Sequence, residues 1–585
     1  MTSKTPAARA SATPSEAPAS TVPPLDPAAD ERDGLDAAIG QLRTGATAWT
    51  LLTLRQRRTV LQRIRAAVAA VAEEWADVAA TSKGLEPGHP LRGEEWLSGP
   101  YAALVALDAY ADTLAALAQG RSPLARVKLG IAPGERTVVH TSPLTGTDAL
   151  LLSGYTTEVW LQPGVGAAQA RRDAGLAQRT PATGGGIGLV LGAGNVTSIP
   201  FLDVLYELLA FNRVVLLKVN PTQDAVVPVF ERALAPLIEP GFLRIVRGGG
   251  QTGAYLTRHP EIDHVHITGS EQTFRAIVPD LTVPISAELG GVSPIIVVPG
   301  RWSAADLRYQ AEHIVTMRLQ NSGHNCIAGQ VVLLSADWPQ RAAFLRALRD
   351  AYDRAPHRPV WYPNSQAKLD AARADYPDAA WCGGGTRALV TVAADGDPEA
   401  LETTEYFAPV LGVVELPGRG QEFLDTAIAH ANERLHGTLG ANVLIDPATQ
   451  RALGSGFERA IARLRYGTVA VNAWTAFGFL TPTATWGAFP GGTVEDAPSG
   501  IGIVHNALLL ADVERTVVRG PFRPFPRALA SVVQTRRLGA LSVLPKPPWF
   551  VTSRTGAAVS EGFTRFRVDG HWGRMAITLV KAFGA

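Results

Sequence analysis

From Gly186 onwards short apolar stretches alternate with helical ones, and no other feature of the chain narrows its fold as much. GIGLVLG precedes a helical pattern around Phe201 to Phe211, and RVVLLKV precedes another from Asp224 to Ile238. LRIVRG, HVHITG and a helical stretch after Ser270 follow. Near-continuous apolar strands separated by helices predict parallel strands with crossovers, buried on both faces. The expected fold class is α/β, a doubly wound sheet whose ligands sit beyond the carboxyl ends of its strands. A second alternating series starts near ELGGVSPIIVV (288–298). It continues through a helix from Ala304 to Leu319 and the strand GQVVLLS, and ends near YGTVAVN (466–472).

Upstream, Leu61, Ile64, Val68, Val71, Trp75 and Val78 recur at spacings of three and four, which predicts a long amphipathic helix over Leu54 to Ala80. A second helix is expected over Tyr101 to Leu117, followed by a Thr-, Val- and Gly-rich β-ribbon over 136–165. Residues 1–33, rich in Ala, Pro, Ser and Thr, read as a disordered tail. The expected organisation is this tail, then N-terminal helices with a first α/β domain (34–286), a second (287–480) and a C-terminal extension (481–585). Few elements can be placed in that extension, where VRGPFRPFPRAL and LPKPPWF interrupt any pattern.

Lys plus Arg (54) balances Asp plus Glu (53), so no net field draws the chain towards nucleic acid or an anionic membrane. A small-molecule partner is the expectation. No apolar run is long enough to predict a membrane span. The two cysteines, Cys326 and Cys382, lack metal-ligand spacing, so neither a zinc site nor a disulfide framework is expected, and a reducing cytoplasm fits.

Several residues carry potential chemistry. ITGS (267–270) puts Gly269 and Ser270 at a strand end before a helix, where backbone N–H groups and a hydroxyl face outward. An N-capping role for Ser270 accounts for the pattern equally well. GAGN (192–195) begins like a Gly-rich dinucleotide fingerprint but lacks its third glycine. Lys218 closes a strand, and Glu288 precedes two glycines at the junction of the two α/β series. Glu405 lies in TTEYFAPV and Cys326 in NSGHNC.

In order, GAGNVTSIP, LLKVNP, ITGS, ELGGVSP, NSGHNC, EYFAPV and YGTVAVN resemble the aldehyde dehydrogenase superfamily over about residues 50–505. The resemblance implies oxidation of an aldehyde to an acid, with Cys326 as nucleophile and Glu288 as the base that activates water. The Asn195 amide and the Cys326 backbone N–H would hold the oxyanion. Lys218, Gly269, Ser270, Glu405 and Phe407 would hold NAD or NADP. Trp474 and Phe477, with Phe479, would line an apolar aldehyde pocket. The reactive thiol is expected to have a lowered pKa, as nearby positive charge or dipoles produce. The family's ribbon reaches a neighbouring subunit, which implies a dimer or tetramer.

Departures accompany these matches. Pro221 stands where NAD-preferring members often carry a Glu, so no carboxylate opposes a 2′-phosphate and both cofactors stay open. Phe274 replaces a second glycine after ITGS, and Val196 and Thr197 follow Asn195 where an aromatic and a proline are common. His324 replaces a common glutamine, with a loop-stabilising role expected. Three rivals follow from the same residues: an acylating enzyme in which coenzyme A replaces water, a thiol hydrolase pairing Cys326 with His324, and an inactive binding relative.

Overall fold

The computed structural model describes residues 26–392, 396–529 and 541–584. The expected tail lies largely in residues 1–25, outside the described residues, but its last part is structured. A helix spans Ala29–Leu51, with Asp30 and Glu31 in the first turn, where acidic groups suit the helix dipole. Leu35, Ile39, Leu42 and Trp49 bury one face of it, and Trp49 meets Phe242 edge-on at 5.1 Å. The long helix Leu54–Ser82 follows, its start fixed by a capping box between Thr53 and Gln56.

The ribbon consists of β1 (Leu129–Ala132), β2 (Arg136–Ser142) and β3 (Thr156–Leu161), paired antiparallel. The first α/β unit contains β4 (Ile187–Leu191), β5 (Val214–Lys218), β6 (Leu243–Val246), β7 (His264–Gly269) and β8 (Ile285–Leu289). These five are mutually parallel in the order β8-β7-β4-β5-β6. The second unit is built on β9 (Ser293–Val297), β10 (Gly329–Ser335), β11 (Ala380–Cys382), β12 (Arg387–Val392), β13 (Val410–Leu416), β14 (Gly440–Leu444) and β15 (Thr468–Val471). Ile295 and Val297 face one core while Ile296 and Val298 face the other, the period of two expected of a sheet covered on both sides.

Residues beyond 480 are not a separate appendage. They supply β16 (Thr485–Gly487), β17 (Gly500–Ile501), β18 (Ile503–Asn506) and β19 (Val513–Arg519). β17 adds antiparallel to β8, with Gly500 opposite Glu288, and makes the first sheet six-stranded. β19 lies parallel to β15 on one side and antiparallel to β3 on the other, so ribbon and second unit form a single eleven-stranded sheet within one chain. The ribbon therefore joins the chain's own sheet through β3, with β1 as the sheet's end strand. The helices Gly556–Asp569 and Trp572–Ala582 end the chain's described fold and pack on Leu97, Tyr101 and Leu151. Approach is close there: a Cβ on Gly93 would run into the Ala557 backbone. Among the described residues no helix is long and apolar enough to cross a membrane.

Candidate active site

Parallel strands deliver their carboxyl ends to one edge. Asn195 follows β4, Lys218 ends β5, Gly269 ends β7 and Glu288 lies near the end of β8. Cys326 reaches the same place from the second unit, on the turn after the helix Ala304–Leu319. That turn takes three successive left-handed residues, Asn321 (φ 54°), Ser322 (φ 55°) and Gly323 (φ 78°). Gly323 is required in addition because a Cβ would strike the Ala408 carbonyl. Left-handed non-glycine residues persist only where their surroundings enforce them. Here the amides of Asn195 and Asn321 both donate to the His324 carbonyl, at 2.9 and 3.0 Å.

A buried ionic cluster lies beneath the turn. Lys83 Nζ donates to Glu95 (2.7 Å) and to the Asn195 carbonyl (2.9 Å). Arg358 donates to Glu95 and to the Asn321 side chain, both at 3.0 Å, and pairs with Glu94. Glu94 in turn accepts from the Asn321 backbone N–H at 3.0 Å. The cluster clamps both Asn195 and the turn that carries the thiol. No sequence motif marks it, since its members are scattered charges that become partners only in three dimensions.

Glu288 and Cys326 line one cleft, and the Glu288 Oε1 is buried without a hydrogen-bond partner. Burial pushes Glu288 up to about 7. The thiol itself is held well above its usual value, first by desolvation and then by the Glu288 carboxylate beside it. The lowered pKa expected of a reactive thiol is not what this fold gives: desolvation raises it first, and the Glu288 and Glu405 carboxylates add to that. What the arrangement offers is a carboxyl base on the same cleft as the thiol.

His324 shares a 2.8 Å hydrogen bond with Ser365 Oγ through Nε2 and sits among the rings of Trp361, Tyr362 and Phe407. Burial and the Arg358 charge push its pKa well down, so it is a neutral packing residue. The thiol hydrolase pairing has no support in this geometry, because the His324 Nε2 is engaged by Ser365 and its ring is packed among aromatics. Cys382 lies on β11, at the opposite edge of the large sheet from the ribbon.

Two hollows meet at Cys326 and Asn195, which line both. The larger is an open cleft of about 2150 Å³ along the strand ends, lined by Lys218, Gly269, Ser270, Glu288, Glu405 and Phe407. Burial depresses the Lys218 ammonium pKa, partly offset by Asp224. The Ser270 hydroxyl accepts from Thr273 N–H at 3.2 Å, so it caps the helix Glu271–Ile277, and Phe274 of that helix is buried in the first unit's core. Burial raises Glu405 to about 7, and its Oε1 has no partner. A Cβ on Gly290 would collide with that carboxylate. An unmet acceptor, a lysine at a strand end and a wall of glycines fit a dinucleotide carrying ribose hydroxyls.

The second hollow, about 780 Å³ with its mouth included, is mostly apolar. Trp474 lines it and donates to the Ile327 carbonyl at 3.3 Å; Phe477 lines it and stacks on Tyr155 at 4.7 Å. Val196 and Phe479 also face it, while Thr197 turns away to accept from the Trp75 indole at 2.9 Å. The wall includes Trp549 from the C-terminal segment, for which the sequence left open a subunit interface, the mouth of the aldehyde tunnel and the plain surface.

Comparison with known proteins agrees with this geometry. Residues 177–360 match the family model described as the Aldehyde dehydrogenase family. An aminoacetaldehyde dehydrogenase from Pseudomonas aeruginosa is 29% identical over 276 residues, 43% of this chain and 52% of that protein. The chain thus spans about half the length of that curated relative. Among solved structures, a putative aldehyde dehydrogenase from Burkholderia cenocepacia aligns with a TM-score of 0.55 and 23% identity, covering 83% of this chain and 91% of the other. An aldehyde dehydrogenase C mutant from Pseudomonas syringae, complexed with NAD+ and octanal, aligns with a TM-score of 0.56 and 18% identity, covering 83% and 88%.

Proposed function

We propose that this chain, a member of the aldehyde dehydrogenase superfamily by its matched residues 177–360 and its fold, oxidises an apolar aldehyde to a carboxylic acid with NAD or NADP. One observation carries the proposal: Cys326 stands where an open cleft along the strand ends, which also holds the Glu288 carboxyl, meets an apolar cavity. An aldehyde whose tail fills the cavity presents its carbonyl carbon to Sγ. Glu288, once ionised, takes the thiol proton as sulfur adds to that carbon, which removes the need for a free-standing thiolate. An amide NH2 carries two N–H groups, and Asn195 spends one on the His324 carbonyl. The second, with the Cys326 backbone N–H, is the oxyanion donor set.

Lys218, Glu405 and Phe407 would hold the dinucleotide, whose chemistry at this site is to accept hydride from the adduct. The acyl group left on Sγ is a thioester. Glu288, after losing its proton to solvent, deprotonates a water that attacks the thioester, and the sulfur leaves and recovers a proton. The unpartnered Glu288 Oε1 is the acceptor such a water needs. This positioned base favours hydrolysis over transfer to coenzyme A. The test is an aldehyde series assayed with NAD and with NADP, following reduced nicotinamide, with Cys326→Ser alongside. Wild-type turnover that disappears in Cys326→Ser supports the proposal; turnover that survives in the variant sinks it.

A further inference from the structure

Residues 541–551 run as an irregular strap, with a turn closed by Phe550 N–H donating to the Pro547 carbonyl at 3.1 Å, from the ribbon to the helix that leads into the Cys326 turn. At the ribbon end Val543 N–H donates to Ser153 Oγ at 3.0 Å. At the helix end Val551 N–H donates to Thr316 Oγ1 at 3.2 Å, and Lys546 pairs with Glu312 at 2.9 Å. Phe550 stacks on His313 (5.0 Å) and Tyr309 (5.3 Å), both on that same helix. Pro547 and Pro548 stiffen the strap between its anchors. Trp549, next to Phe550, turns the other way. It meets Tyr155 edge-on at 5.4 Å and Phe477 at 5.9 Å, and lines the same cavity as Cys326.

Trp549 is half-buried, held between Tyr155 and Phe477 at the edge of the cavity. We propose that the strap is the outer wall of the aldehyde cavity and that Trp549 is a specificity-determining residue, which limits the size of the aldehyde tail admitted to Cys326. This rests on the function proposed above and names the element that selects among its substrates. Removing the indole enlarges the cavity on the side walled by Tyr155 and Phe477, so longer tails gain apolar contacts that shorter ones do not reach.

Wild type, Trp549→Ala and the milder Trp549→Phe are compared by the ratio of kcat/KM for decanal to that for propanal. A second ratio needs no turnover: the rate of Cys326 alkylation by N-phenylmaleimide over that by iodoacetamide, read by mass spectrometry of the Cys326 peptide. Both ratios are expected to rise about tenfold or more in Trp549→Ala and by a smaller factor in Trp549→Phe, in line with what a few methylenes are worth in a hydrophobic pocket. Ratios that stay within about twofold of wild type, or fall, overturn the proposal. If Trp549→Ala does not fold, Trp549→Phe decides by the same criterion. If the alkylation ratio rises while no variant and not the wild type oxidises any aldehyde, the wall stands and the oxidation proposal falls.

Discussion

In the proposed reaction the Cys326 thiol gives its proton to Glu288, so the protonation state of Glu288 sets whether sulfur can add. With the Glu288 carboxyl held near 7, kcat/KM is expected to fall as pH drops through about 7, because a protonated acid takes no proton. Glu288→Gln should lose that limb of the profile and slow turnover by roughly 100- to 10,000-fold, measured by steady-state kinetics. The same shift has a sign for stability. Free Glu ionises near 4.5, whereas in the fold this one keeps its proton until about 7, so stability is lost as pH rises between those values and stays lost above. Glu288→Gln should therefore be more stable than wild type at alkaline pH, by on the order of 3 kcal/mol at most, with no difference below the lower value. Chemical denaturation at two pH values reads this out. At Gly290 the effect is positional: Gly290→Ala pushes the Glu405 carboxylate aside and should raise the KM for the dinucleotide while leaving the fold intact. Cys326, Glu288 and Asn195 were all legible in the sequence because each sits in a short motif. The raised thiol pKa was not, since it depends on which charges pack nearby, and these turned out to be acids.

Among the elements, the parallel strands β4, β5, β9 and β10 were readable because strands buried on both faces are largely apolar, as in RVVLLKV. β19 was not. Its sequence VERTVVR carries charges that are neutralised by pairing, Glu514 with Arg136 and Arg519 with Glu458, so an internal strand looks polar. β17 is two residues long and has no pattern to detect. The short helix Gly93–Trp96 was likewise invisible, although it supplies both acids of the cluster beneath the Cys326 turn. Arg358 is nearly fully buried between those acids. Arg358→Ala leaves them without their shared counter-ion and should destabilise the fold by about 3–5 kcal/mol, seen as a lowered denaturation midpoint. The turn should loosen as well, and with it the grip on Asn195.

For the whole molecule, the sheet that joins ribbon and second unit is the feature that most needs a test in solution. β19 zips β3 to β15 within one chain. Ala470 and Val518 are partners across β15 and β19, both fully buried. The double variant Ala470→Cys, Val518→Cys, oxidised and run without reductant, should migrate as a single chain of 61.9 kDa. A band of twice that mass would mean that the strand comes from another subunit. The pairing of Gly500 with Glu288 bears on how the protein matures. Residues 288 and 326 leave the ribosome well before residue 500, so the strand that backs Glu288 from outside joins the sheet after the residues it backs.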